Sequence, residues 1–471
     1  MNIPLIIVLV YILALFALSM HARKLAAKGS EDFLLAGRKL TTPLVAVTIT
    51  GLAIGGASTI GVAEQAYNVG LAAGWYNVAW GAGAIIMGLV AAAKYRNLNV
   101  TTVPELFEKY YDTKGRIICV VGQITIQLVI TALQCVSGGA ILASLLPQIF
   151  TFQSGMLTST ILFVGITFIG GMMGAGFTNL LNIALIYVGI IAATLISIFS
   201  QGGLANVAAQ LPPEVPYFHL TNGLGWVVIM GWFAVMVTQV MSLQATVQIS
   251  CSAKDAKTAR NGFILGGLLM IPIGFLSALM GIVARTIFPD ISATLALPQV
   301  IMSLNPIIAG VTLAALWAAG ISTGCNLLLG SATLFSQDIY KRFINPNVSE
   351  KNFYVVTKVC VAILGVFSYV AALTIVTIVQ TLLVALSLTT AFTIIILFTV
   401  FAPGLCRKNS AFYTILVGII VLVLWQFVPA IRVVPHVIYL EWIVCLITFL
   451  IIPMFDKNPV ANIAATEALE N

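Results

Sequence analysis

Apolar windows of about twenty residues, each long enough to cross the hydrocarbon core of a bilayer, recur along nearly the whole chain. Few folds are open to such a sequence, because every backbone amide inside lipid must find its partner within the protein. Of its 471 residues 60% are hydrophobic and 8% charged, where a soluble domain has roughly a quarter of its residues charged. The chain reads as an all-α polytopic membrane protein, with no stretch left for a sizeable soluble domain.

Thirteen transmembrane helices are expected, at 3–20, 43–67, 73–93, 117–146, 152–172, 179–200, 224–248, 262–287, 308–334, 352–374, 378–402, 411–430 and 436–454. No basic residue precedes the first, and Arg23, Lys24 and Lys28 follow it, which is the order of a retained helix and not of a signal peptide. The odd-numbered connections and the C-terminal tail hold twenty of the twenty-two Lys and Arg residues, leaving only Arg285 and Arg432 opposite. That skew predicts an N-terminus outside and a C-terminus in the cytoplasm, in the plasma (inner) membrane. The formal charge of +7 then belongs to cytoplasmic loops and calls for no nucleic acid partner. Seven cysteines without a CxxC pair and three scattered histidines suggest neither a disulfide scaffold nor a metal cofactor. No nucleophile and base pair, phosphate loop or cofactor motif points to an enzyme.

Two loops carry local signals. Thr102, Pro104 and Glu105 stand in helix-starting order, so a short amphipathic cytoplasmic helix is expected there. The long external connection 201–222 either covers part of an outer vestibule or is a spacer.

Residues 48–73, TITGLAIGGASTIGVAEQAYNVGLAA, could cross a membrane, yet Gly51, Gly55, Gly56 and Gly61 and the run Ala57, Ser58, Thr59 interrupt them. That pattern suits a broken helix whose unwound turn offers backbone carbonyls to something small and positive. Close helix packing through small residues is the alternative. In span nine, Ala319, Ser322 and Thr323 lie at i, i+3 and i+4, so one carbonyl and two hydroxyls can converge. Two carbonyls from the break in span two would complete a compact set of hard oxygens suited to dehydrated sodium. Potassium would fit it loosely, and magnesium would want carboxylates. Bonding of Ser322 and Thr323 back to their own helix is the competing use.

Other polar side chains fall at membrane depth. Gln123, Gln127, Thr131 and Gln134 share one face of span four, and Thr238, Ser242 and Thr246 one face of span seven; Ser387 lies near Thr390 in span eleven. Such groups are costly in lipid unless they meet one another, water or a ligand. Together they argue for a wet cavity that receives a solute. Glu64 is the one acidic residue facing the centre of span two, and a conceivable proton site.

The chain resembles the sodium:solute symporter family over nearly its full length. The marks are EDFLLAGRKL at 31–40, AYNVGLAAGW at 66–75, TVPELFEKY at 102–110, SAKDAKTARNG at 252–262 and, most specifically, GISTGCNLLLGSATLFSQDIYK at 320–341. The resemblance implies a LeuT-like fold of two inverted five-helix repeats, at 43–200 and 224–402. A first helix and cytoplasmic loop (1–42), an external loop (201–223) and two C-terminal helices with a tail (403–471) complete the chain. It implies a sodium site made by the carbonyls of Gly51, Ile54 and Ala319 and the hydroxyls of Ser322 and Thr323. Solute positions are implied around Ala57, Ser58 and Thr59, on the polar faces with Gln123, Gln127, Thr238 and Ser242, and near Ser387 and Thr390. Two departures stand out: Asn179 where members often have an aspartate, which disfavours a second sodium, and Gln244 where many have an arginine.

The expectation is a sodium-coupled symporter that imports a small organic solute, an amino acid or small carboxylate being favoured. Its partners are sodium, that solute and the lipid bilayer, and it needs no cofactor. Proton-coupled or uncoupled transport involving Glu64 is the rival within transporters; a channel or sensor on the same scaffold is the rival outside them.

Overall fold

The computed structural model describes residues 3–26, 34–98, 100–375 and 377–460. Lys28, residues 31–33 of the EDFLLAGRKL motif and the tail from 461 lie outside them. In chain order the helices are α1 (Ile3–Ala26), α2 (Thr42–Ala53), α3 (Val62–Val69), α4 (Trp75–Val90), α5 (Ala92–Asn97), α6 (Val103–Tyr110), α7 (Thr113–Leu145), α8 (Phe152–Ser200) and α9 (Leu204–Ala209). They continue as α10 (Trp226–Ser242), α11 (Gln244–Cys251), α12 (Ala256–Ile287), α13 (Ala296–Met302), α14 (Pro306–Thr333) and α15 (Glu350–Ala372). The last four are α16 (Ile378–Ser387), α17 (Thr389–Phe401), α18 (Ser410–Phe427) and α19 (Val437–Phe455).

Among the described residues, eleven helices are long and apolar enough to cross a membrane, or twelve when the bent pair α10 and α11 counts as one span. The shortfall against thirteen lies at 42–90. α2 is too short to cross alone, and the apolar window 57–90 runs past a turn. Contacts along α12 reveal that turn. Gly266 meets Ile49, Gly281 meets Ala63 and Tyr67 bonds to the Phe288 carbonyl, so α2 and α3 climb α12 together as one interrupted span. Beyond Gly70 the chain descends again, with Gly274 against Gly74 and Gly267 against Gly81.

α8 also holds two crossings. Ser159 reaches Trp317 and Phe163 reaches Gly324, whereas Asn182 reaches Ala318 and Gly189 reaches Thr312, so the chain has reversed along α14 between Phe163 and Asn182.

A glycine seam locks α4 to α12. Gly74, Gly81 and Gly88 recur every seven residues, and Gly267 and Gly274, also seven apart, face Gly81 and Gly74. A seven-residue period keeps one stripe of each helix in contact with the other, and without side chains the backbones approach closely. A Cβ on Gly81 would stand 2.6 Å from the Gly267 carbonyl oxygen, and one on Gly267 would stand 2.5 Å from that of Gly81. α4 and α12 are the helices that follow the two broken spans, α2–α3 and α10–α11.

The connection 201–222 packs onto residues 70–75. The Leu71 amide donates to the Tyr217 carbonyl (2.7 Å) and the Trp75 indole to that of Leu220 (2.9 Å). Gly70, at φ 77°, sits where a Cβ would strike the Tyr217 backbone. The expected loop helix forms at α6, with the Thr102 hydroxyl accepting from the Glu105 amide (3.2 Å).

Candidate ion and solute site

α2 ends because its chain leaves helical geometry at Ile54, whose φ and ψ are −84° and 71°. Residues 57–61 then follow as a wide turn in which the Gly61 amide bonds to the Gly56 carbonyl, five residues back (2.8 Å). A break of this kind frees the carbonyls of the last helical turn. The Thr323 hydroxyl, from α14, donates to the Gly51 carbonyl at 2.8 Å and lies 3.3 Å from that of Leu52. One turn away, the Ser322 hydroxyl donates to the Ala319 carbonyl (2.9 Å). The Ile54 carbonyl receives no backbone hydrogen bond from the described residues outside the helices. Thr323 thus joins α14 to the last turn of α2 at Gly51 and Leu52, and Ile54, Ala319 and Ser322, its near neighbours in the two segments, are buried with them. Their donors are neutral hard oxygens, which suit an alkali cation and not a transition metal.

Asn179, on α8, closes the far side. Its amide lies so near Gly51 that a Cβ there would be 2.4 Å from the side chain, and neither amide atom has a hydrogen-bond partner. Asn326, one turn beyond Ser322, has an amide in the same condition.

A cavity of about 340 Å³ adjoins this crossing. Leu52, Ala53, Gly55 and Ala57 supply one wall from the break, and Tyr76 and Trp80 of α4 face them. Gln134 and Gln239 bring amides from α7 and α10. Leu243, Leu327, Leu382 and Ile130 complete an apolar surface, and Thr323 belongs to both cavity and ion crossing. The Gln134 oxygen accepts from the Gly56 amide (2.9 Å), which fixes the break, while the Gln239 nitrogen is buried without a partner. Among the described residues, no charged side chain lines the space.

Of the solute residues expected from sequence, Ala57 lines the cavity. The Ser58 and Thr59 hydroxyls bond back to the carbonyls of Ala53 and Gly55, and that of Ser387 to Leu383. The Ser242 hydroxyl donates to the carbonyls of Thr238 and Thr389, and the Thr238 hydroxyl to that of Val235. Thr390 is buried with its hydroxyl unpartnered, as is the oxygen of Gln127, which lies against Gly330. Gln123 has a different task. Its nitrogen donates to the Ser242 carbonyl (2.8 Å) and its oxygen accepts from the Gln244 amide (3.0 Å), bridging a 49° bend between α10 and α11 at Leu243. Span seven is thus broken like span two, and the missing signal in its sequence is a side chain 120 residues away.

The end of the bundle that carries Lys94, Arg96, Arg116 and Arg342 is held together by polar contacts, the one between Arg116 and Asp338 buried. Arg116 bonds to Asp338 (2.8 Å through Nε) and to Glu108, Thr102 donates to Asp338 (3.0 Å), and Arg342 reaches Glu108 (3.0 Å). Gln244 joins them, accepting from the Val103 amide (2.9 Å) and donating to the Thr101 carbonyl (3.1 Å). Burial works against ionisation of Glu108, but the bonds from Arg342 and Arg116 outweigh it and hold its carboxyl below the usual range. At the opposite end the Glu64 carboxylate accepts from the Ile378 amide (3.4 Å), at the N-terminus of α16.

The model of the sodium:solute symporter family matches residues 33–418. The chain belongs to this family. A sodium/proline symporter of Haemophilus influenzae is 27% identical over 71% of this chain and 70% of its own length. Sodium/glucose cotransporter 4 of Danio rerio is 25% identical over 77% of this chain, which spans 62% of that longer protein. A solved Na+-coupled sialic acid symporter, in a substrate-bound outward-open state, shares the fold with a TM-score of 0.82 at 17% identity, over 98% of this chain and 99% of its own. The symporter is therefore a multi-pass, sodium-coupled carrier of a small solute with a LeuT-like fold, and not an enzyme.

Proposed function

We propose that sodium binds at the crossing of α2 and α14, held by the carbonyls of Gly51, Ile54 and Ala319 and the hydroxyls of Ser322 and Thr323. The observation that carries this reading is the Thr323 hydroxyl directed onto the carbonyl freed at the break. The solute sits in the adjoining cavity, between the break, Tyr76, Trp80, Gln134 and Gln239. Its shared wall, Thr323, makes solute and ion occupancy sensitive to one another.

The solute is a small amino acid or monocarboxylate. Apolar leucines beside the unpartnered Gln239 nitrogen, with no charged side chain among the described residues, favour a compact apolar body bearing one polar end. Two five-helix repeats, 43–200 and 224–402, rock about this centre, a reading supported by matching breaks at Ile54 and Leu243. The end carrying Arg116 and Arg342 faces the cytoplasm of a cell with the protein in its plasma membrane, and the N-terminus lies outside. The skew of basic residues supports that orientation.

Uptake into proteoliposomes from a panel of amino acids, carboxylates and sugars, with an imposed sodium gradient, tests both parts. Uptake of an amino acid or monocarboxylate is expected, and uptake of a sugar alone would overturn the solute assignment.

A further inference from the structure

A second cavity, of about 520 Å³, opens at the basic end between the close of α4, α6 and α17. Its residues are separate from those of the ion crossing and the solute cavity. Leu106 and Phe107 of α6, Met241 of α10, and Leu397 and Val400 of α17 give it an apolar wall. The polar groups in that wall are already satisfied: the Tyr95 hydroxyl donates to the Met241 carbonyl (2.8 Å), and the Tyr111 and Thr399 hydroxyls share a bond (2.6 Å). Water needs several polar partners to be held in such a place, so the space suits hydrocarbon.

Lys94 stands at the rim, its ammonium 5.2 Å from the centre of the Phe401 ring. It makes no salt bridge among the described residues. The nearby carboxylates are engaged elsewhere, Glu108 with Arg116 and Arg342 and Glu105 with the Thr101 amide. Leu89, Val90 and Phe401 are exposed apolar residues on helices that cross the membrane, so the mouth opens towards lipid, and Arg407 and Lys408 follow Phe401 closely in the chain.

We propose that this cavity binds an anionic phospholipid of the adjacent leaflet, one acyl chain lying against Met241, Leu397 and Val400 and the phosphate resting on Lys94. An apolar slot with one unpaired cation at its membrane-side rim matches a molecule that is hydrocarbon at one end and anionic at the other. The chain would lie between α4 and α6 of one half of the protein and α10 and α17 of the other, two residues from the bend at Leu243.

The test is native mass spectrometry of the full-length protein taken from vesicles of phosphatidylcholine with phosphatidylglycerol. The unaltered protein is expected to keep phosphatidylglycerol through detergent exchange. Ala91→Phe, which fills the slot, should lose it, and Lys94→Gln should lose the preference over phosphatidylcholine. Equal retention by both variants would overturn the site, as would retention of a free fatty acid in place of the phospholipid. Should a variant fail to fold, phosphatidylglycerol with a photoreactive acyl terminus can be cross-linked to the unaltered protein. Adducts at Met241 or in 396–401 are expected, and adducts confined to the outer lipid-facing residues would reject the proposal.

Discussion

The Thr323 hydroxyl donates to the Gly51 carbonyl at 2.8 Å, joining α14 to the final turn of α2 across 272 residues. This bond satisfies a carbonyl at the break, and in the sodium site proposed above both oxygens would turn to the cation. Thr323→Ala removes a ligand and leaves that carbonyl unpaired. A hydrogen bond or ligand to a charged group is worth about 1.5–3 kcal/mol, so sodium half-saturation should rise roughly tenfold to a hundredfold. Thr323→Ser keeps the oxygen and should stay near the unaltered value. Sodium titration of solute uptake, backed by solute binding with and without sodium, measures both variants.

Asn179 offers a second lever on the same crossing. Its amide has no partner and presses on Gly51, so a carboxylate of the same shape would bring a full negative charge to the ion without steric change. Asn179→Asp is expected to lower the sodium concentration for half-maximal uptake. A rise in that concentration would place the ion elsewhere. The Hill coefficient for sodium, compared between the two proteins, reports whether the carboxylate also admits another ion.

How much of this site was legible in the sequence follows from what causes each part. The break in span two announces itself, because glycines and small hydroxyl residues at membrane depth weaken a helix locally. The break at Leu243 does not: the surrounding MSLQATVQ has neither glycine nor proline, and the bend is held by the Gln123 side chain from another helix. Gln134 and Gln239 stand out as polar residues, but which of the glutamines meets the cavity depends on how each helix is rotated by its packing. Nothing in the sequence sets Trp80 apart until α4 is set against the break. Leu52, Leu327 and Leu382 carry no mark that separates a solute wall from an ordinary core. Nothing in the sequence pairs Arg116 with Asp338, which the packing of distant helices brings together as a buried ion pair.

Gln123 should matter for stability more than for solute recognition. It serves two backbone groups at the bend, and each buried group left without a partner costs about 1–3 kcal/mol. Gln123→Leu should lower the thermal midpoint of the detergent-solubilised protein and lower uptake, with little change in the solute KM of the carriers that remain. A large rise in KM at an unchanged thermal midpoint would instead assign Gln123 to the solute.

The latch at the basic end has a defined pH window. The Glu108 carboxyl is held below its ordinary value, so the stabilisation it gives is fully present above that ordinary value, near 4.3, and is lost as pH falls through the depressed one. Between pH 8 and pH 5 the contribution of Glu108 should therefore be constant. Cys119, buried one turn beyond Arg116 in α7, is a reporter of its opening. Labelling of Cys119 by a thiol reagent is expected to rise several-fold in Arg116→Ala and Glu108→Gln at neutral pH. An unchanged rate in both would mean that these contacts do not close this end.

Glu64 separates sodium coupling from the proton-coupled alternative. Its carboxylate accepts the Ile378 amide, and a helix N-terminus favours a negative partner over a neutral one. This geometry makes it a contact between α3 and α16 at the end remote from Arg116, and gives it no part in the oxygen set at Thr323. Glu64→Gln can still accept the same hydrogen bond but cannot exchange a proton. Sodium-driven uptake should persist in this variant. A proton gradient without sodium should drive accumulation in neither protein. If it drives accumulation in the unaltered protein and fails in Glu64→Gln, protons can serve as a coupling ion and Glu64 carries them.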